Sequence, residues 1–226
     1  MPAGIEVVPL ALGHVTPRSG PFADRRIPIQ AFLIRHPEGP FLVDTGVGGG
    51  HDGIDTLYQQ ELVALTDALA SIGCAPPDIV AVINTHLHFD HCGENRLFAG
   101  VPIYVQAAEY EAAAAYAYTV PEWVQFAGAK YERLAGQAEI AKGVSLLPTP
   151  GHTPGHQSVL VETSSALAVI AGHAAYSAAE YADEEPAPGG DWDGAAYARS
   201  LALLRELAPH RVYFSHDTTV WTKEQP

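Results

Sequence analysis

Short apolar, β-branched runs bounded by Gly, Pro, Asn or Asp recur along the chain: IEVVPLAL at 5–12, IQAFLIR at 29–35, PFLVDTG at 40–46, IVAVINT at 79–85, PIYVQ at 102–106, VSLLPT at 144–149, QSVLVET at 157–163, LAVIAG at 167–172 and RVYFSH at 211–216. Runs of this length and composition predict strands. Between them the apolar spacing predicts helices over Tyr58 to Ile72, stopped by Gly73, over Ala107 to Tyr118, and over Trp192 to Leu207, where Ala196, Leu201, Leu204 and Leu207 share one face. Strands early and late with helices interspersed imply an α+β arrangement in which helices cover sheets. Gly48–Gly50 and Pro186–Gly190 read as loops within one domain spanning residues 1–226, and the only low-complexity stretch is the alanine run Ala112–Ala115.

A hydrophobic fraction of 47% in 226 residues is ample for a buried core. Twelve basic against 26 acidic residues give a net charge of −14, which repels a phosphate backbone, so nucleic acid is not an expected partner. The N-terminal MPAGIEVVPLALGHVTPRSG lacks a basic n-region and no apolar segment is long enough to span a bilayer, so a cytoplasmic protein with no membrane association is expected. Cys74 and Cys92 are too few for a disulfide framework and are expected to be reduced thiols. Nothing in the chain reports on oligomeric state, and a homodimer is compatible with it.

The chemistry concentrates where IVAVIN ends, in THLHFDHCGEN. A spacing of two in extended backbone puts the His86 and His88 rings on one side. Asp90 and His91 follow at a turn expected to open a helix, from which they face a neighbouring position. His152, in the tight TPGHTPGHQS loop, and His216, closing the last predicted strand, complete two sets of three ligands. Imidazole and carboxylate without thiolate suit Zn²⁺, with Mn, Fe and Co as competitors. Cys92 reads as a small packed residue, and His14, His36, His51 and His210 read as solvent-facing or locally bonded.

On these residues the sequence resembles the metallo-β-lactamase superfamily, whose mark is H-x-H-x-D-H followed by later His, Asp and His ligands. Within it the chain is similar to the N-acyl homoserine lactonases, through FLVDTG at 41–46, THLHFDHCGEN at 85–95, PIYVQAAEYEAA at 102–113, TPGHTPGHQS at 149–158, the Tyr176 region and FSHD at 214–217. The resemblance implies a four-layer αββα sandwich with metals at one edge of the sheets. It places His86, His88 and His152 at a first metal and Asp90, His91 and His216 at a second, with Asp44 orienting ligand imidazoles from behind. His156 is expected to hydrogen-bond behind the site.

One position departs from the pattern. Where the family has an aspartate bridging two metals, this chain reads IAGHAAYS, with His173 at that place and Tyr176 three residues later. A carboxylate spans two ions about 3.5–4 Å apart, whereas a neutral imidazole offers one lone pair. His173 then binds one metal, stands aside, or bridges only if its ring is doubly deprotonated. Asp90 is left as the only expected anionic ligand, so one ion is expected to bind tightly and a second more weakly.

The resemblance further implies hydrolysis of a lactone or other ester by metal-bound hydroxide, with Tyr176 stabilising the oxyanion and Asp90 carrying a proton to the leaving alkoxide. Phe89 and Phe22, with Tyr116, Tyr118, Trp123 and Phe126, are candidates for an apolar acyl cleft, although core packing explains the last four equally well. Thioester or other ester hydrolysis, and a non-catalytic metal- or ligand-binding role owed to His173, stand as alternatives.

Overall fold

The computed structural model describes residues 4–115, 118–164, 166–189 and 191–223. Two mixed sheets form around the predicted runs. The first comprises β1 (Glu6–Pro17), β2 (Ile27–Arg35), β3 (Phe41–Val43), β4 (Tyr58–Leu62), β5 (Ala81–Ile83), β6 (Pro102–Gln106) and β7 (Lys130–Leu134), in the order β4-β1-β2-β3-β5-β6-β7. The second comprises β8 (Ala138–Ala141), β9 (Val144–Pro148), β10 (Gln157–Glu162), β11 (Leu167–Ile170), β12 (Arg211–Phe214) and β13 (Asp217–Thr222), in the order β13-β12-β11-β10-β9-β8.

Side-chain alternation sorts the central strands between two cores. From β2, Phe32 and Ile34 join Val43, Ile83, Val159, Val161 and Ile170 between the sheets, whereas Ile29, Ala31 and Leu33 face the other way. There they meet Leu65 and Leu69 of α2 (Leu65–Ser71), together with Phe98 and Trp123. On the far face of the second sheet, Val169, Val212 and Phe214 pack against Tyr181 of α6 (Ala178–Tyr181) and Leu204 of α7 (Gly194–Glu206). The result is the expected αββα sandwich.

Several elements differ from expectation. The predicted helix over Tyr58 to Ile72 divides: Tyr58–Leu62 is a strand paired antiparallel with the edge of β1, and only Leu65–Ser71 is helical. Along YQQEL the half-buried Tyr58 and Gln60 alternate with exposed neighbours, so backbone pairing at an open edge overrides helical propensity. The second helix, α4 (Ala107–Ala112), is shorter than predicted, and Tyr116, a candidate for the cleft, lies outside the described residues. Strands β7, β8 and β13 carry mostly half-exposed side chains and lack the continuous apolar signature of the others. Helix α7 begins at Gly194 because the Asp193 carboxylate accepts from the amides of Ala195 and Ala196.

The loops that follow the C-terminal ends of β3, β5, β9, β11 and β12 gather at one edge of the sandwich. Glutamines stitch the sheets there: Gln157 donates from Nε2 to Asn84 O at 2.9 Å, and Gln106 donates to Gln157 Oε1 at 2.8 Å. A deeper strap is the fully buried Glu109 of α4. Its carboxylate accepts from Leu87 N at 2.8 Å on the β5 loop, and from Thr153 Oγ1 at 2.6 Å and Gly155 N at 3.2 Å on the β9 loop. The Tyr118 hydroxyl donates to it as well. Gly155 is required by this approach, because a Cβ there would lie 2.1 Å from Glu109 N.

Removing the Glu109 carboxylate leaves several buried donors unpaired, each costing about 1–3 kcal/mol before relaxation. Glu109→Ala is expected to lose about 3 kcal/mol and to lower Tm by roughly 6–12 °C in thermal unfolding followed by circular dichroism. A drop under about 2 °C would show that the strap carries no load.

Candidate metal centre

The buried Asp44 just after β3 organises the centre. Its backbone adopts the left-handed region at φ 59°, a conformation that aspartate tolerates better than most residues. Its carboxylate accepts from Thr85 N and Thr85 Oγ1, each at 2.8 Å, and from His91 Nδ1 at 2.7 Å. His91 therefore carries its proton on Nδ1 and turns a bare Nε2 inward. Thr85 Oγ1, having given its proton to Asp44, accepts from His86 Nδ1 at 3.1 Å, which leaves His86 Nε2 bare. One carboxylate thus sets two imidazoles.

His216 Nδ1 donates to Pro28 O at 2.8 Å, leaving its Nε2 directed at Asp90 Oδ2, 3.3 Å away. His152 Nε2 lies 3.1 Å from His88 Nδ1. His156 stands behind: its Nδ1 donates to Thr149 O at 3.0 Å and its Nε2 accepts from His173 N at 2.8 Å. Gly172 makes that bond accessible, since its φ is +59° and a Cβ would meet His156 Nε2 at 2.6 Å.

His173 is the middle of the cluster. Its ring lies 4.3 to 4.7 Å, centroid to centroid, from those of His86, His91, His152 and His216. Two sets of ligand atoms, each within 4.8 Å of one another, share it: Asp90, His91, His173 and His216 form one, and His86, His152 and His173 the other. Of the residues expected to bind metal, His88 alone falls outside both, although its Nδ1 abuts His152.

The donors fit a cation. His86 Nε2 and His173 Nδ1 are buried without a hydrogen-bond partner, and His91 Nε2 faces His173 Nε2 at 3.2 Å. Burial, followed by neighbouring histidines, depresses the basicity of His86 and His173, and His88 is pushed down to about 3 by burial and by His152. Burial pushes Asp90 up, but His91, His216 and His88 outweigh it and hold the carboxylate ionised. Burial opposes a proton on His91, yet Asp90, Asp44 and Glu109 together raise its basicity. Bare nitrogens and an ionised carboxylate converging in a buried pocket are the donor set of a divalent metal.

A cleft of about 210 Å³ opens over the cluster, lined by His88, Asp90, His152, His173 and His216. Phe22, Phe89, Tyr58 and Tyr176 line it as well. Trp123 instead lies in the core between the first sheet and its helices, with Phe126 packed against that core, and Tyr118 turns to Glu109. Cys92 is buried, its thiol pushed up to about 12 by burial, consistent with packing and not with ligation. Away from the centre, His51 caps a short helix by accepting from Ile54 N, and His36 bonds Lys142 O.

Two residues here had no local signal in the sequence. Glu109 reads as one more charge on an amphipathic helix, and Asp191, whose Oδ1 lies 3.1 Å from His152 Nδ1, as a loop residue. Only the pairing of Asp191 with Asp193 around Trp192, just before a helical pattern, distinguishes that stretch.

Residues 24–216 match the sequence model described as Metallo-beta-lactamase superfamily. An N-acyl homoserine lactonase of Bacillus cereus is 35% identical over 207 residues, covering 84% of this chain and 82% of that protein. The N-acyl homoserine lactonase AttM of Rhizobium radiobacter is 31% identical over 242 residues, covering 94% and 88%. Among solved structures, an N-acyl homoserine lactone hydrolase with the product N-hexanoyl-L-homoserine bound at its catalytic metal centre superposes with a TM-score of 0.81 at 28% identity, over 96% of this chain and 95% of that one. The His- and Asp-rich edge of this αββα sandwich and the match across most of its length lead to one conclusion: the chain belongs to the metallo-beta-lactamase superfamily.

Proposed function

We propose that this chain opens the ring of N-acyl homoserine lactones. Its relatives make it a metal-dependent hydrolase acting on ester bonds, and a lactone hydrolase among these. The observation that carries the narrower reading is the cleft itself, which the ligand cluster lines together with the apolar rings of Phe22, Phe89 and Tyr58. Ligating groups for a reacting ester and apolar rings for an acyl chain meet in that one cleft.

A divalent metal, Zn²⁺ by donor type with Mn, Fe or Co as substitutes, supplies Lewis-acid polarisation of the ester carbonyl and acidifies water to about pKa 7 when bound. Asp90, His91, His216 and His173 would hold one ion, and His86, His88, His152 and His173 a second. Asp44 fixes the His91 ring directly and the His86 ring through Thr85, and His156 holds the His173 backbone, so that little reorganisation is needed as charge develops.

Tyr176 supplies a proton at the reacting carbonyl. Burial, and then the neighbouring Asp191, hold its phenol protonated far above neutral pH, which suits it as a donor and not as a base. Turning from Asp191 to the ester oxygen, the hydroxyl donates to the developing oxyanion. Asp90 is ionised and borders the cleft, so it can accept a proton from the attacking water and pass it to the departing alkoxide. Phe89 and Phe22 exclude water from the acyl side. The leading substrate is neutral, so the net charge of −14 sets no barrier to its approach.

Zinc-loaded protein offered lactones of graded acyl length in a pH-stat is expected to release one equivalent of acid per ring, with hydrolysis of thioesters at least tenfold slower. Turnover of thioesters alone, or of neither class, would overturn the assignment. Tyr176→Phe is expected to lower kcat about 10²-fold while leaving metal content unchanged, as for loss of one oxyanion donor. An unchanged kcat in that variant would remove Tyr176 from the mechanism.

A further inference from the structure

Asp191 lies beside the cluster without entering either ligand set. Its side chain is 6% exposed, and its neighbours are His152 and Tyr176. His152 Nδ1–H lies 3.1 Å from Asp191 Oδ1 and 2.8 Å from Tyr176 Oη, and the Tyr176 hydroxyl donates on to Asp191 Oδ1 at 3.3 Å. A carboxylate can only accept, so His152 must carry its proton on Nδ1 and present a bare Nε2 to the cluster. Asp44 imposes the same arrangement on His91 from the opposite side.

The segment bearing Asp191 is fixed in place. Trp192 N donates to His152 O at 3.2 Å and Asp193 N to Gly151 O at 2.9 Å, so the run just before α7 is zipped onto the His152 loop. Asp193 caps the helix, and Ser200 Oγ anchors α7 to Pro150 O at 2.7 Å. Asp191 is therefore delivered to His152 by a ladder of backbone bonds.

The geometry points to Asp191 as a positioning residue of the metal centre: one carboxylate sets the tautomer and ring orientation of His152 and anchors the Tyr176 phenol beside it. This rests on the metal-centre reading above. It also adds negative charge behind a ligand set, His86, His152 and His173, that contains no carboxylate of its own. Partners of this kind, placed behind a ligand histidine, typically change metal affinity 10- to 100-fold when removed.

The test uses the full chain, stripped of metal and titrated with Zn²⁺ against a chromophoric chelator, then with Co²⁺ for its visible spectrum. Asp191→Ala is expected to weaken one of the ions 10- to 100-fold and to change the Co²⁺ spectrum. Asp191→Asn, which keeps an acceptor but loses the charge, is expected to fall between Asp191→Ala and the parent, and Asp191→Glu to recover most of the affinity. Asp193→Ala is the structural control: it removes the helix cap but keeps the backbone bonds from Trp192 and Asp193 to the His152 loop, so the Tm of the metal-free protein falls by about 2–4 °C with Zn²⁺ affinity unchanged. If Asp191→Ala does not fold, Asp191→Asn decides.

Parent-like Zn²⁺ affinity and Co²⁺ spectrum in the Asp191 variants would overturn this role while leaving the metal centre intact. Equal losses in Asp191→Asn and Asp193→Ala would reduce Asp191 to part of a packed loop. A parent protein that binds no Zn²⁺ would overturn the metal-centre reading and this inference with it.

Discussion

Ring nitrogens brought within 3.1–3.2 Å of one another in a buried pocket, with His86 Nε2 and His173 Nδ1 left without any hydrogen-bond partner, call for a cation among them. Much of the architecture at this edge serves that juxtaposition. Asp44 accepts the left-handed backbone in order to hold Thr85 and His91 at once. Gly172 gives up a side chain so that His156 can bind the backbone of His173, and Glu109 straps the two loops that bring His88 to His152. Each ligand follows the end of a strand buried in the sandwich, so the rigid cores between and outside the sheets fix the donors before any ion arrives.

What the sequence made legible follows from how far each signal reaches along the chain. H-x-H-x-D-H is a local signal, and the strand before it, Ala81–Ile83, is buried on both faces and so reads as one apolar run. Strand β4 carries no such signal, because five polar-rich residues at a sheet edge are decided by their partner in β1, which lies some 45 positions away in the chain. Asp191 and Glu109 act through contacts between segments distant in sequence, and an acidic residue in a loop or on a helix looks solvated until the fold buries it. Tyr58, expected within a helix, instead stacks with Phe89 at a centroid distance of 4.4 Å and helps to wall the cleft.

His173 is where sequence and structure inform each other most. The sequence shows only an imidazole where the family resemblance leads one to expect a carboxylate. The structure shows that imidazole shared by both ligand sets, with Nδ1 unpartnered and Nε2 against His91. One neutral ring cannot give each ion an oxygen, as a carboxylate does, so two ions at this centre face the charge of Asp90 alone within the ligand sets. Unequal affinities are the expected consequence of that shortage of charge and of the one donor atom that an imidazole lacks relative to a bridging carboxylate.

The most direct measurement is a Zn²⁺ titration of metal-free protein with elemental analysis of the filtered product, for the parent and for His173→Asp. The account predicts one tightly held ion and a second held more weakly in the parent, with both held tightly once a carboxylate stands at 173. Two equally tight ions in the parent, or a weak site that His173→Asp leaves unchanged, would contradict it.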